Sequence, residues 1–313
     1  MGRDQVMDAE YTATSRDDEF HVLDATEWWM VETVWFAFTI PERRMNGVVY
    51  LVCRPSMGVC ALHVNVFDDT GHAPQSQRYW RSLWQLPLPK SLVRFDMAPV
   101  GLKFEVLEPL TRYRVQYEDG PEIAVDFTWS ALVPPRMAGP DHIDQFGRVE
   151  GRLVLNGETI PIDCLQMRDR SWKRRSDLEG RVGGYTYGLA SKDLAFLVGS
   201  SGVEETKAAG GGWILRDGQM HDIVGGERRI LARGDAGEPL RLALSLQDRA
   251  GRTLEAEGDC VARAEMNVSG NIFAWDSLVQ WRFDGQTCWG EDQDVWTPAA
   301  WRASPHGARR SRG

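Results

Sequence analysis

The sequence predicts an all-β protein that folds as two consecutive antiparallel β-barrels packed together. Apolar and polar residues alternate with a period of two along much of the chain, which is typical of strands with one buried face. Asn-Gly and Asp-Gly pairs separate these runs, and such pairs close tight hairpins because both residues accept positive φ. Sheets of this size have to protect their edges, which favours closed barrels.

The strand and turn signals follow one another from residue 32 to residue 296. The clearest alternating runs lie at residues 32–40, 60–66, 123–129, 240–246 and 273–283. The turn pairs are Asn46-Gly47, Asp119-Gly120, Asn156-Gly157, Asp217-Gly218 and Asp284-Gly285. Similar numbers of strand candidates precede residue 165 and follow Gly183, so we predict one barrel at 18–165 and a second at 166–302. The basic, glycine-containing tail at 303–313 is predicted to be disordered.

Composition excludes several classes of function. Of 313 residues, 42% are hydrophobic and 26% are charged, which is an ordinary globular balance. The net charge of -9 argues against a nucleic-acid partner, since phosphate binding requires a basic face. No apolar run approaches the ~18 residues of a membrane helix, and the polar N-terminus lacks the apolar core of a signal peptide. We therefore expect a cytoplasmic protein without membrane insertion.

Tryptophan is the outlier of the composition, with 13 residues. A large indole is common where an apolar ligand is bound, and its N–H requires an acceptor when it is buried. Aromatic residues are also frequent on ordinary strands. The count is therefore compatible with a ligand cavity or with a strand-rich core.

The segment Arg168-Asp169-Arg170-Ser171-Trp172 ends a predicted hairpin and provides the first candidate catalytic residue, Asp169. Two flanking arginines would keep this carboxyl group ionised, whereas burial against Trp172 would keep it protonated and able to protonate an alkene. Because successive strand residues point to opposite faces, Arg168 and Arg170 could also face away from Asp169. A structural ion pair and a catalytic acid both remain open.

His142 and Asp144 form the second candidate. Their spacing of two places both side chains on one face of an extended segment. A histidine with a carboxylate partner is a suitable general acid or base near neutral pH. The pair could equally provide two metal ligands, but the sequence shows no clear third or fourth, so we predict no metal site. Alternatively, the two residues could be an ordinary polar part of the hairpin base or of a domain hinge, without a catalytic or metal-binding role.

Further candidates lie in the second half of the chain. Asp276 follows Trp275 and precedes Trp281, and its pKa would be raised if its face pointed into a tryptophan-rich cavity. We expect the opposite, aromatic face of this strand, with Trp275 and Trp281, to point into the barrel. Tyr185 and Tyr187 alternate on one strand and could donate hydrogen bonds to a substrate. The sequence contains no nucleophile elbow, zinc motif or dinucleotide fingerprint, so no cofactor is predicted.

Three segments resemble the family of two-domain lipocalin-like (calycin-type) barrels that includes hydroxyneurosporene synthase and the AttH-like proteins, in particular an uncharacterised bacterial branch. They are residues 32–38, residues 142–151, which resemble a His-x-x-Gln-x-Gly-Arg-x-x-Gly pattern, and the Arg-Asp-Arg-Ser-Trp motif at 168–172. Thr33 stands where the branch has serine, and Lys173 stands where glycine usually follows the last motif. The resemblance implies activity on apolar polyenes or terpenoids, by hydration or cyclisation.

We therefore predict a cofactor-independent enzyme, a hydratase, dehydratase or cyclase, that acts by proton transfer on an apolar terpenoid- or steroid-like molecule. The predicted catalytic residues are Asp169, His142 and Asp144. The predicted substrate-binding residues are Trp172, Trp35, Tyr185, Tyr187, Trp275, Asp276 and Trp281. A non-catalytic carrier of a hydrophobic small molecule is the alternative, and a homodimer built on the second barrel is a third possibility.

Overall fold

The computed structural model describes residues 11–21, 28–175, 182–269 and 271–310. The first half of the chain forms β1 (Met30–Ile40), β2 (Met45–Arg54), β3 (Val59–Phe67), β4 (Tyr79–Pro87), β5 (Arg94–Met97), β6 (Leu102–Glu108), β7 (Arg112–Asp119), β8 (Ile123–Ala131), β9 (Arg136–Met137), β10 (His142–Leu155) and β11 (Glu158–Arg174). The second half forms β12 (Gly183–Ser191), β13 (Leu194–Ser201), β14 (Thr206–Arg216), β15 (Gln219–Arg233), β16 (Pro239–Asp248), β17 (Thr253–Ser269), β18 (Ile272–Phe283), β19 (Gln286–Trp296), α1 (Pro298–Ala303) and α2 (Pro305–Arg310).

Two antiparallel sheets account for these strands, which confirms the predicted all-β class with two barrel-like domains. The second sheet is a closed barrel in the order β12 to β19. The first has the order β4-β3-β2-β1-β11-β10-β8-β7-β6-β5, with β9 beside β10. It curls around its own apolar core, so that the Tyr79 and Tyr117 hydroxyls of β4 and β7 lie 2.6 Å apart. Among the described strands no pairing joins β4 to β5, so the first domain is a half-barrel.

The boundary between the two domains and the structure of the C-terminal segment differ from the sequence-based expectation. Strand β11 runs 17 residues to Arg174 within the first sheet, so the chain passes to the second barrel between Arg174 and Gly183 rather than at residue 165. Residues 305–310 form helix α2, which corrects the predicted disorder there. Helix α1 starts after Thr297, whose side chain accepts a hydrogen bond from the Ala300 N–H at 3.1 Å. Residues 311–313 lie outside the described chain.

Arg168 and Arg170 point into the first half-barrel. Arg170 donates to Glu32 at 2.5 Å, and the Arg168 guanidinium lies 4.4 Å from the centroid of the Tyr113 ring. Both arginines are buried, and Asp18 approaches Arg168 at 3.8 Å. Arg170 also donates to the backbone carbonyl of Glu19. The two arginines thus attach the N-terminal segment to the interior of the half-barrel.

The segment 142–151 supplies the partner of Arg168. Gln145 accepts a hydrogen bond from Arg168 Nε at 2.8 Å and donates to the Val133 carbonyl at 2.9 Å. Gly147 lies against the Trp129 indole, and a Cβ there would be 2.3 Å from the ring. Only glycine allows this close approach. The glutamine and glycine of the motif therefore have structural roles.

Charged and aromatic side chains fill the second barrel. Arg228 donates to both oxygens of Asp292, at 2.7 and 2.6 Å, and Lys207 lies 2.5 Å from Asp294. All four side chains are fully buried. At the end of the barrel, Trp301 of α1 packs among the other members of an aromatic cluster, Phe273, Trp275 and Trp296. The interior is occupied by protein groups that neutralise one another.

The two domains pack through the outer faces of their sheets. One apolar cluster joins Trp35 and Tyr50 to Ala264 and Leu278. A second joins residues of β10 and β11 to residues of β12, β13 and β14, with the Phe146 and Trp213 rings 4.5 Å apart. Large apolar surfaces meet in this layer, so the two sheets form one packed unit.

A buried carboxyl group, Glu291, crosses the same interface. It accepts hydrogen bonds from the side-chain amides of Asn46 and Gln166, each at 2.9 Å. The Tyr187 hydroxyl donates to the side-chain oxygen Oε1 of Gln166 at 2.6 Å. Burial raises the pKa of Glu291 to about 7, and the hydrogen bonds from Asn46 and Gln166 oppose that rise.

We expect Arg170→Met to lower the free energy of unfolding by about 3–5 kcal/mol, because Glu32 would keep a buried charge without its guanidinium partner. Urea denaturation measures the change. The control is Arg148→Met, since Arg148 and its partner Asp163 are exposed and such pairs contribute about 0–1 kcal/mol. Equal effects of the two substitutions would contradict a stabilising role of the Arg170–Glu32 pair.

Glu291→Gln should remove a pH dependence of stability. The pKa of Glu291 rises from 4.5 to about 7 on folding, so its neutral form stabilises the folded state below pH 4.5, and this contribution is lost as pH rises through 7. The free energy of unfolding of the wild-type protein, relative to the variant, should therefore fall between these pH values. Urea denaturation across this range measures it, and a constant difference would show that Glu291 is ionised throughout.

Candidate functional site

The alternation of β11 that buries Arg168 and Arg170 points Asp169 outward, toward the second barrel. In the sheet register Asp169 pairs with Asp144 of β10 on one side and with Trp35 of β1 on the other. Trp35 in turn pairs with Tyr50 of β2. Directly paired residues share a face, so these four side chains form a row across the outer face of the first sheet.

His142 joins the two carboxylates of this row into one cluster. Its Nε2 lies 2.8 Å from Asp144 Oδ1 and 2.8 Å from Asp169 Oδ2. Tyr185 of the second barrel donates its hydroxyl proton to Asp144 through a short hydrogen bond. The two candidate sites derived from the sequence, Asp169 and the His142–Asp144 pair, are therefore a single site that spans the domain interface.

Two cationic side chains from the end of β11 border the cluster. Lys173 Nζ lies 3.0 Å from His142 Nδ1. Arg175 donates to the Ser171 hydroxyl at 2.8 Å, and its positive charge acts on Asp169. Lys173 occupies the position where the related motif usually has glycine, so this chain has a cation that the motif normally lacks.

The charges of the cluster shift its pKa values in opposite directions. Burial alone would lower the pKa of His142, but the carboxylates of Asp144 and Asp169 outweigh it and raise this pKa to about 10. Burial would raise the pKa of Asp169, but His142, Arg175 and Lys173 together hold it below its usual value. Burial, followed by the charges of Asp144 and Asp169, raises the pKa of Tyr185 well above its usual value. At neutral pH Asp169 is a carboxylate and Tyr185 a neutral donor.

The 3.0 Å contact between His142 Nδ1 and Lys173 Nζ limits how many protons these two nitrogens can carry. An imidazolium and an ammonium at this distance would repel, so the pair shares one proton. In either arrangement Nε2 keeps its own proton, because two carboxylates face it. The cluster therefore holds a proton on Nε2 toward Asp144 and Asp169 and a second, exchangeable one between Nδ1 and Nζ.

The cluster keeps some contact with solvent, and the partly exposed side chains of His142, Asp169, Tyr185 and Gln293 are called the recess below. Protein atoms densely surround Asp169 and His142, yet their side chains retain 16% and 12% of their accessible surface. Tyr185 and Gln293, on neighbouring strands of the second barrel, are also partly exposed. Polar groups that are largely enclosed by protein and still reach solvent are candidates for a binding site.

His142, Asp144 and Asp169 could also bind a divalent cation, since each presents one ligand atom and these atoms lie within 4.8 Å of one another. Sequence reasoning found no third ligand because Asp169 lies on the neighbouring strand. Arg175 and the positive charge of the His142–Lys173 pair lie beside the same atoms, which opposes cation binding. The arrangement fits proton transfer better than metal coordination.

The remaining predicted site residues divide between the interface and the barrel interiors. Trp35, Tyr187 and Asp276 lie in the interface layer. Trp172 stacks on His21 with ring centroids 3.8 Å apart, on the face of β11 opposite to Asp169. Trp172 therefore does not bury Asp169, in contrast to the expectation from sequence.

Two further tryptophans predicted to bind substrate point away from the cluster. Trp281 donates its indole N–H to the Tyr187 carbonyl at 2.9 Å and packs inside the second barrel. Trp275 packs in the aromatic cluster at the end of that barrel. The expectation that this aromatic face is the barrel interior is correct, and for this reason these residues do not line the recess.

Sequence reasoning missed three residues of the site, Lys173, Arg175 and Gln293. The two cations continue the outward face of β11, so extending the alternation past Trp172 would have found Lys173. Gln293 pairs with Tyr185 on one side and with Asp276 on the other. No signal in the sequence indicated that pairing, because it depends on the closure of the barrel.

A profile for a domain of unknown function, DUF7064, matches residues 14–293. No curated protein sequence matches the chain. Among solved structures, the AttH-like protein of Nitrosomonas europaea superposes with a TM-score of 0.65 at 13% identity, over 93% of this chain and 98% of that chain. Kievitone hydratase from Nectria haematococca gives 0.54 at 10% identity, over 86% and 89%. CghA gives 0.53 at 12% identity, over 86% and 88%. At these identities the likeness shows the fold, which confirms the predicted resemblance at that level.

Replacing His142 by asparagine should change how stability depends on pH. The pKa of His142 rises from 6.5 to about 10 on folding, so its protonated form stabilises the folded state fully below pH 6.5, and this contribution is lost as pH rises toward 10. The stability advantage of the wild-type protein over the variant should shrink across this range, as measured by urea denaturation. An advantage that does not change with pH would mean that His142 does not form the charged cluster.

Proposed function

The chain belongs to the DUF7064 family, and we propose that it is a cofactor-independent enzyme that transfers protons on an apolar, terpenoid- or steroid-like small molecule. The cluster of His142, Asp144, Asp169 and Tyr185 in an interdomain recess is the observation that carries this proposal. It combines an ionised carboxylate, a bound proton and partial access, which are the requirements of general acid–base catalysis.

Asp169 is the proton acceptor in this proposal. Its Oδ2 faces His142, and no described residue forms a hydrogen bond with its Oδ1, which leaves that oxygen available to a substrate proton or a water. Asp144 accepts from both His142 and Tyr185 and holds these two donors in position. His142 then orients Asp169 and supplies a proton from Nε2.

The acid strength of His142 limits the classes of reaction that the cluster can catalyse in this proposal. With its pKa raised to about 10, His142 is a weak acid, and an isolated alkene requires a far stronger one. Removal of a proton beside a carbonyl, or addition and loss of water at an alkene conjugated to one, requires only a base and a weak acid. We therefore favour hydration, dehydration or cyclisation of an activated substrate over protonation of an unactivated polyene.

Structural neighbours support this class of reaction only by analogy. Kievitone hydratase is a hydratase by name, and CghA is known in a structure with Sch210972. Both share the two-domain fold at low identity. The carrier alternative receives less support, since large and charged side chains fill the interiors in which a carrier of this fold would hold its ligand.

Substrates can be sought by extracting the purified protein with organic solvent and by testing a terpenoid and steroid panel that includes conjugated ketones. For a turned-over compound, we expect Asp169→Asn and His142→Ala each to lower kcat by about 10²–10⁴-fold, the usual contribution of a positioned acid or base. The matched control is Asp163→Asn, since Asp163 lies on the same strand but is exposed and paired with Arg148. It should retain full activity.

Unchanged turnover in both site variants, with folding intact, would rule out this assignment. Dialysis against a chelator provides a second test. Loss of activity that Zn²⁺ restores would make the same three side chains a metal centre, whereas unchanged activity supports proton transfer. A co-purified compound that binds tightly and is never altered would favour the carrier function.

A further inference from the structure

Asp276 is a fully buried carboxyl group that faces the first domain. Its cross-strand neighbours are Ala264 of β17, which belongs to the interdomain cluster around Trp35, and Gln293 of β19. No described residue forms a hydrogen bond of normal geometry with either of its oxygens. A buried polar group without a partner costs stability, so its presence in a packed interface requires an explanation.

Asp276 carries a proton. Burial, followed by the charges of Glu291 and Asp292, raises its pKa well above the usual value, and the nearby N–H of Ser277 offsets only part of this rise. A neutral carboxyl group presents one O–H donor, which a carboxylate lacks. Asp276 therefore has a donor directed into the interface that no protein group in the described chain accepts.

Trp35 presents a second such donor from the opposite sheet. Its indole Nε1 is buried and has no acceptor among the described residues. An indole N–H can only donate. Two donors without acceptors, one from each domain, therefore lie in the same interface layer.

Asp276 and Trp35 lie the same number of strands away from a contact that joins the two sheets. The Tyr185–Asp144 hydrogen bond fixes one point of contact between the sheets. Asp276 lies two strands from Tyr185, through Gln293, and Trp35 lies two strands from Asp144, through Asp169. Each step of two strands spans about 10 Å. The apolar cluster that contains Trp35 of β1 also contains Ala264 of β17 and Leu278 of β18, so these strands border the same part of the interface.

We propose that Asp276 and Trp35 are a pair of hydrogen-bond donors that binds the carbonyl oxygen of the substrate, beside the base Asp169. This proposal rests on the proposed function and adds the substrate class, an apolar ketone or conjugated enone. A hydrocarbon would leave both donors unsatisfied. A carbonyl oxygen has two lone pairs and would accept from both.

The reaction balances without another reactant. Asp169 removes a proton from a carbon beside the carbonyl or conjugated with it, the C–H bond breaks, and its electron pair moves to the carbonyl oxygen to give an enolate. Asp276 and Trp35 donate to this oxygen as its charge develops, in a site where little water competes. Return of the proton from Asp169 to a different carbon completes isomerisation, and its transfer to a β-hydroxyl, which leaves as water as the enolate electron pair forms the C=C bond, completes dehydration. In cyclisation the enolate carbon forms a bond to a conjugated carbon of the same molecule, whose displaced π electron pair takes up the proton.

Gln293 marks the path by which the carbonyl reaches the two donors. It is the partly exposed residue between the buried Asp276 and the partly exposed Tyr185. A ligand that extends from the recess beside Tyr185 meets Gln293 first, and displacement of this side chain opens the way to Asp276.

The test uses β-ionone, an apolar terpenoid enone, labelled with carbon-13 at its carbonyl. Binding to the wild-type protein should move the carbonyl NMR signal downfield, because two donors polarise the C=O bond. Trp35→Phe and Asp276→Leu should each remove about half of this shift and weaken binding by about tenfold, while Asp276→Asn, which keeps a donor, should retain most of it. Trp213→Phe is the matched control, since Trp213 is also buried with an unpartnered N–H but lies in the other interdomain cluster.

The shift does not depend on turnover, so it separates this proposal from the proposed function. Asp169→Asn should keep the shift and stop the exchange of β-ionone hydrogens with heavy water. A shift without exchange in the wild-type protein would overturn the proposed function and leave the carbonyl site standing. Absence of binding, an unshifted signal, or a shift that Trp35→Phe and Asp276→Leu leave intact would overturn the carbonyl site.

Ligand-free stability gives an independent measurement. Leucine has nearly the shape of aspartate without its polar atoms, so Asp276→Leu should move the urea midpoint to a higher concentration. A lower midpoint would show that Asp276 has a structural partner, which would also overturn the proposal.

Discussion

The architecture depends on the second half of strand β11, residues 166–172, which is enclosed on both faces. Its even-numbered residues Arg168 and Arg170 enter the half-barrel, and its odd-numbered residue Asp169 enters the domain interface. A strand with two buried faces normally carries apolar residues on both. Here each face carries charge, so each charge requires a partner from another part of the chain. This requirement ties the N-terminal segment, β10 and the second domain to β11.

The charged residues on the two faces of β11 are neutralised by different kinds of partner. Inside the half-barrel, Glu32 and Asp18 lie against arginines that cannot lose their protons, so the contacts there are permanent ion pairs. In the interface, Asp169 faces His142, which titrates and has partly accessible neighbours. The same short motif thus places permanent charges inside the half-barrel and a titrating group in the interface, where the side chains keep some exposure to solvent.

The contents of the barrels explain why the candidate site lies between the domains. Arg228, Lys207 and their aspartates occupy the second barrel, and aromatic residues close its end. The half-barrel is filled by its aromatic core and the N-terminal segment. The interface, by contrast, holds polar side chains that keep some accessible surface. In the same layer, Asp276 and Trp35 have buried polar atoms without a partner among the described residues, and a second molecule bound there would satisfy them.

The sequence by itself determined the strand class and the turns, and it singled out His142, Asp144 and Asp169, the three side chains that the structure brings together. Period-two alternation and Asn-Gly pairs are local signals, and the spacing of His142 and Asp144 places both on one face without reference to any other strand. The Asn156-Gly157 turn fixes the register of the β10–β11 hairpin, which pairs Asp144 with Asp169, and tertiary structure decided that the second barrel covers this face. It also decided which faces of Trp172, Trp275 and Trp281 are interior, and it brought Tyr185 and Asp276 opposite the first sheet. These relations depend on sheet closure and domain packing, which join residues such as Asp144 and Tyr185, 41 positions apart, and Tyr187 and Trp281, 94 positions apart, and leave no trace in local periodicity.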